Sequence, residues 1–114
     1  MIASEIRAAL TDSRIGVPAY QFQSPENAVY PHIVYTYIND RGEFFEEGEE
    51  AIQWSEVQLE IYHKSNYNPL LNTTLKVLKE YGFKRSFGYG RYDKDLNVYY
   101  YTLRVLKEIE YASN

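Results

Sequence analysis

Hydrophobic positions along this chain change period several times, and each change marks an element. Residues 2–12, "IASEIRAALTD", put Ile2, Ile6, Ala9 and Leu10 on one face at helical spacing. Gly16 and Pro18 then punctuate the chain, and residues 19–31, with Pro25 and Pro31, are weakly patterned and predict an irregular crossing segment. "HIVYTYIN" (32–39) is dense in β-branched and aromatic residues and predicts a strand, with Asp40-Arg41-Gly42 as a turn signal after it. In "IQWSEVQLEIYHK" (52–64), Val57, Leu59 and Ile61 alternate with Glu56, Gln58 and Glu60, the period of a strand with one wet face. "NPLLNTTLKVLKEYG" predicts a helix, with Asn68 as N-cap, Pro69 at the first helical position and Gly82 as the stop. Its stripe of Leu70, Leu71, Thr74, Leu75, Val77, Leu78 and Tyr81 is that of a helix packed on a sheet, while Asn72, Lys76, Lys79 and Glu80 face water. "FKRSFGYGRY" (83–92) and "NVYYYTLRVLKEIEY" (97–111) add two strands about the turn-like "DKDL". The prediction is an α+β fold: a small, mostly antiparallel sheet of four to five strands, two helices packed on one face, and a long acidic hairpin loop.

Two strands break the alternation that a half-solvated sheet requires. In the last, Tyr99, Tyr101, Leu103 and Val105 line one side, and Val98, Tyr100, Thr102 and Leu106 line the other, interrupted by Arg104. Ile33, Tyr35 and Tyr37 likewise oppose Val34, Thr36 and Ile38. Either another part of the chain or a partner covers the second face.

A length of 114 residues predicts a single domain over 1–114, able to bury a core without staples. With no cysteine, disulfides and thiolate metal sites are excluded. No run approaches the length of a membrane span, and no basic-then-apolar leader opens the sequence, so a soluble protein used without export is expected. Charge changes the picture more. The net charge is −4, and "GEFFEEGEEA" (42–51) carries −5 through Glu43, Glu46, Glu47, Glu49 and Glu50, leaving +1 for all the rest. A body so nearly neutral lacks the field of a general nucleic-acid binder. Thirteen tyrosines suit surfaces that are wet in one state and buried in another.

Candidate chemistry is sparse. His32 and His63 each fall inside a predicted strand without carboxylates at ligand spacing, and predict structural histidines. No nucleophile elbow, phosphate loop or two-histidine zinc helix is present. The paired carboxylates of the acidic connection lack the fixed separation hydrolysis needs, and "EFFEEGEEA" does not space oxygens as a calcium loop does. No enzyme, metal or cofactor is expected. "RSFGYGRY" (85–92) approaches the aromatic signature of RNA-recognition domains through Arg85, Phe87, Gly88, Tyr89 and Tyr92. Ser86 and Gly90 depart from it, and the order of elements is wrong for that fold. The plainer expectation is a hairpin with glycines at a bulge and Phe83, Arg85, Phe87 and Tyr89 along one face.

Taken in order, "YPHIVYTYIND" (30–40), "SEVQLEIYHKSNY" (55–67), "LLNTTLKVLKEYGFKR" (70–85) and "NVYYYTLRV" (97–105) resemble the small tail-completion proteins of long-tailed phages. These are also called tail terminator or head–tail joining proteins, and the likeness spans residues 2–107. It implies a virion structural protein with no catalytic motif or cofactor, assembled in the host bacterial cytoplasm. It further implies a ring, usually of six copies, that caps the head-proximal end of the tail tube and meets the head connector, with DNA passing through its lumen. The implied partners are therefore the protein itself, a tail tube protein and a head connector protein, with no membrane and no sequence-specific nucleic acid. On this resemblance Phe44, Phe45, Tyr100 and Arg104 are candidate oligomer or partner contacts. Glu43, Glu46, Glu47, Glu49 and Glu50 form an acidic group for a lumen face, where carboxylates repel passing phosphates. The plain reading of the same loop is a solvated hairpin tip. Two other functions stay open: a single-stranded nucleic-acid-binding module using the hairpin at 85–92, and a stand-alone protein–protein adaptor.

Overall fold

A computed structural model describes residues 2–44 and 50–109. The chain runs α1 (Ile2–Leu10), β1 (Ala19–Gln21), β2 (His32–Phe44), β3 (Glu50–His63), α2 (Asn68–Glu80), β4 (Lys84–Asp93) and β5 (Val98–Ile109). The strands form one sheet in the order β1-β2-β3-β5-β4. Only the short β1 runs parallel to its neighbour; the other pairings are antiparallel. The expected α+β architecture with both helices on one face is the observed one. Ile6, Ala9 and Leu10 of α1 and Leu71, Val77 and Leu78 of α2 pack in one core with Ile33, Val57, Leu59, Ile61, Leu103 and Val105.

The ends of α2 show why it forms there. The cap residue is Tyr67, not Asn68, and it makes no side-chain capping bond. Instead Asn66 Oδ1 accepts from the Asn68 amide at 3.0 Å, an Asx turn that sets up Pro69 in the first turn. At the other end Phe83 N–H donates to the Leu78 carbonyl (2.9 Å) and Gly82 N–H to that of Lys79 (3.0 Å). This is a Schellman closure, and Gly82 takes the φ of +91° that it requires. The two helices are tied at their C-terminal ends by Arg14, whose guanidinium donates to Asp12 (3.0 Å) and Glu80 (2.5 Å). Those bonds hold the Asp12 carboxyl well below the usual carboxylate range.

Four expectations change. Residues 19–31 are not wholly irregular, since Ala19, Tyr20 and Gln21 pair with Ile33, Val34 and Tyr35. Asp40-Arg41-Gly42 is not a turn but part of β2, paired with Ser55, Trp54 and Gln53. Pairing reaches Phe44↔Glu50, so residues 42–44 and 50–51 of the acidic stretch belong to the strands, while 45–49 lie outside the described residues. In β4 the bulge falls at Ser86, not at a glycine: Arg85 opposes Val105 whereas Phe87 opposes Arg104. The extra residue moves Phe87 and Tyr89 to the face opposite Arg85, so these side chains do not share a face. The glycines serve packing instead. A Cβ on Gly88 would lie 2.4 Å from the Tyr101 hydroxyl, and one on Gly90 would lie 2.0 Å from that of Tyr67.

Candidate interaction surfaces

The face away from the helices is built in rows of directly opposed residues. Asn39, Glu56, Leu106 and Lys84 form the row nearest the hairpin arms, and Thr36, Gln58, Arg104 and Phe87 the next. Val34, Glu60, Thr102 and Tyr89 follow, then His32, Tyr62, Tyr100 and Arg91. Opposed side chains on one face touch, and here they pave the surface. His32 stacks on Tyr62 (ring centroids 5.1 Å), and Tyr62 stacks on Tyr100 (5.4 Å). Tyr20 and Tyr30 close around His32 at 5.5 and 4.8 Å. The second face is thus covered in part by its own aromatic side chains and by the segment carrying Ser24, Val29 and Tyr30.

His32 lies at the centre of this aromatic cluster. It is fully buried; its Nδ1–H donates to the Val29 carbonyl (3.0 Å), and Ser24 Oγ lies 2.8 Å from Nε2. Burial lowers its pKa, with the Val29 bond opposing. His63 accepts from the Ser65 amide at 2.9 Å, a local turn bond. Tyr62 donates to Glu60 (3.1 Å), and burial raises its pKa, reinforced by the Glu60 charge. Among the described residues no cluster of His, Asp or Glu is placed to hold a metal ion, and no helix is long and apolar enough to cross a membrane.

Toward β4 this face opens. Phe87 and Tyr89 stack in parallel, 6.1 Å apart, and remain 42% and 40% exposed. Arg91 lies over Tyr89 at 4.6 Å, and Arg104 over Phe87 at 5.4 Å. Arg104 also donates to Gln58 (3.0 Å) and lies 4.0 Å from the buried Glu56 carboxylate. Two of the predicted contact residues, Tyr100 and Arg104, therefore share this face, both half-buried. Of the others, Glu43 and Phe44 end β2 and Glu50 begins β3, while Phe45, Glu46, Glu47 and Glu49 lie outside the described residues.

A second surface escaped the sequence reading. Between α2 and the start of β4 lies a cleft of about 520 Å³, floored by Leu75, Leu78, Phe83 and Val105. Lys79, Lys84 and Arg85 line it as well, so an apolar floor carries a cationic rim. Arg85 turns its guanidinium toward Tyr101 and donates to that hydroxyl. Lys79 and Lys84 are exposed and form no ion pair among the described residues. The rim comes from residues far apart in pattern, two on the wet side of α2 and β4 and one on its core side.

The sequence matches no protein-family model and no curated protein. Among solved structures it is similar to a chain described as part of the virion of a native gene transfer agent particle. That match has a TM-score of 0.55 at 6% identity and covers 94% of this chain and 90% of the other. At this identity the likeness establishes a shared fold.

Proposed function

We propose that this protein is a structural component of a virion, a neck subunit that forms a ring at the head-proximal end of a tail tube and joins it to the head connector. The observation that carries the reading is the fold match to a virion chain along nearly the whole length of both partners. It is supported by the segments that resemble tail-completion proteins, which form the sheet centre β2-β3-β5 and the helix closed by Gly82. The chemistry is consistent with this: His32 is packed among aromatic rings, the described surface exposes Phe87, Tyr89 and Arg91, and the sequence adds an acidic segment at 43–50. Ring subunits meet head-to-tail and need two unlike surfaces, which this chain has.

The test is deletion of the gene from a particle-producing strain, followed by electron microscopy of the lysate. Unjoined heads and tails, with tails of abnormal length, are the expected result. Normal joined particles would remove the reading.

One observation favours nucleic-acid binding as a second reading. The exposed Phe87–Tyr89 pair, beside Arg91 and Arg104, resembles a platform on which bases stack. That reading requires a salt-sensitive shift of single-stranded DNA or RNA, lost in Phe87→Ala/Tyr89→Ala. The neck reading requires no such shift.

A further inference from the structure

We infer that the cleft between α2 and β4 receives the acidic hairpin tip, residues 43–50, of a second copy of this chain. The inference deepens the ring reading and rests on it. The two surfaces are chemically complementary. The segment 43–50 contains Phe44 and Phe45 among five glutamates. The cleft offers an apolar floor for rings and the cationic rim of Lys79, Lys84 and Arg85 for carboxylates. An apolar cavity of about 150 Å³ suffices for benzene, so an open cleft of about 520 Å³ has room for both phenyl rings.

The backbone register excludes a chain from filling its own cleft. The cleft sits level with the row Asn39, Glu56, Leu106 and Lys84. The β2–β3 ladder continues past that row to Phe44↔Glu50, five residues further along β2. At about 3.3 Å per residue the end of the ladder lies roughly 17 Å beyond the cleft. It is also displaced sideways, because β5 separates β3 from β4. Folding back would break the ladder, including the Gln53↔Ile109 pairing with β5. The described end of the ladder thus lies away from the chain's own cleft, which is left for a neighbour. Hairpin into cleft is a heterologous contact, the kind that the ring reading requires between neighbours.

The absence of native cysteine allows a direct test. Glu47→Cys and Lys79→Cys proteins are mixed at high concentration, oxidised mildly and resolved on non-reducing gels. Glu47→Cys with Lys94→Cys, an exposed cation in the turn just past β4, is the charge-matched control. Disulfide between positions 47 and 79 should form about tenfold faster than the control at about 0.01 M salt. The excess should collapse at about 1 M, where the screening length falls from about 30 Å to about 3 Å. Particles bearing both cysteines in one chain should give a ladder of cross-linked multimers. Equal rates for the two pairs, or no disulfide in either protein or particles, overturns the proposal. A deletion strain with normal particles, beside efficient cross-linking, would remove the neck role and leave the contact standing. Loss of joining without any cross-link would do the reverse.

Discussion

Gly88→Ala tests whether the glycines of β4 exist for packing. Gly88 opposes Leu103 on the core side and has no positive φ, so alanine meets no backbone penalty. Reduced freedom of the unfolded chain alone would stabilise the variant by about 0.4–1 kcal/mol. Against this, the new Cβ would lie 2.4, 2.5 and 2.7 Å from Oη, Cε1 and Cζ of Tyr101. Carbon contacts are comfortable at about 3.5–4.0 Å, so the ring has to move by about 1 Å. Tyr101 is only 8% exposed, its hydroxyl accepts from Arg85, and its ring packs on Tyr67 at 5.6 Å. Overpacking at such a site costs about 1–3 kcal/mol. The net loss is about 0.5–2 kcal/mol, a fall in Tm of a few degrees at about 4 °C per kcal/mol. Tyr101→Val removes the obstacle at its own cost of about 3 kcal/mol. In that background Gly88→Ala should become neutral or stabilising. Urea unfolding followed through Trp54 fluorescence, with unchanged slopes, gives the four free energies of the cycle. Equal cost of Gly88→Ala in both backgrounds would refute the packing argument. Gly90→Ala should cost less than Gly88→Ala, because its near neighbour is the outer end of the half-buried Tyr67 side chain.

Three further outcomes follow from the same structure. The Thr74 hydroxyl is buried in α2 without a hydrogen-bond partner among the described residues, so Thr74→Val should raise stability by about 1 kcal/mol. A lower Tm for that variant would refute it. His32 has a folded pKa below its unfolded value of about 6.5, so the unfolded chain takes up the proton more readily. Its contribution to stability therefore holds above about pH 6.5 and declines as pH falls below it, a decline that His32→Gln should flatten; a urea midpoint that rises on acidification would contradict this. Finally, Phe44→Ser/Phe45→Ser should leave the thermal transition of the purified protein intact and abolish joining of particles, and wild-type infectivity would identify the tip as merely solvated.

The elements most legible in the sequence are those whose stability is local. Pro69 and Gly82 bracket α2 because backbone chemistry at its ends demands them, and the shift of the cap to Tyr67 alters one residue. Val57, Leu59 and Ile61 announce β3 because one of its faces is core and the other carries Glu56, Gln58 and Glu60. The parity of Tyr100 and Arg104 correctly placed both on one face. What escaped depends on distant partners. Ala19–Gln21 is too short to show a period, and it is a strand only because Ile33–Tyr35 offer it an edge. Asp40-Arg41-Gly42 has turn composition, but the ladder to Ser55, Trp54 and Gln53 overrides it. The Ser86 bulge moves Phe87 and Tyr89 to the other face, and no residue type signals it. The cleft arises only when the Gly82 turn folds Phe83, Lys84 and Arg85 back beside Leu75 and Lys79.

The two edges of the sheet constrain how copies can meet. β1 is three residues long and offers little backbone for pairing. β4 is a full exposed edge, the kind of strand that would extend a sheet into a neighbour unless blunted. It is blunted by the Ser86 bulge and by Lys84, Arg85 and Arg91, with Asp93 as the single acid. A symmetric, antiparallel β4-to-β4 pairing would have to accommodate the Ser86 bulge of both copies. The segment 43–50, with five glutamates and no basic residue, repels its own copy by charge. The proposed contact sets acid of one copy on base of the next, a heterologous contact that passes from copy to copy. On the proposed hairpin-to-cleft contact, the charge segregation that makes the sequence look unbalanced favours a head-to-tail arrangement of copies over a symmetric pair.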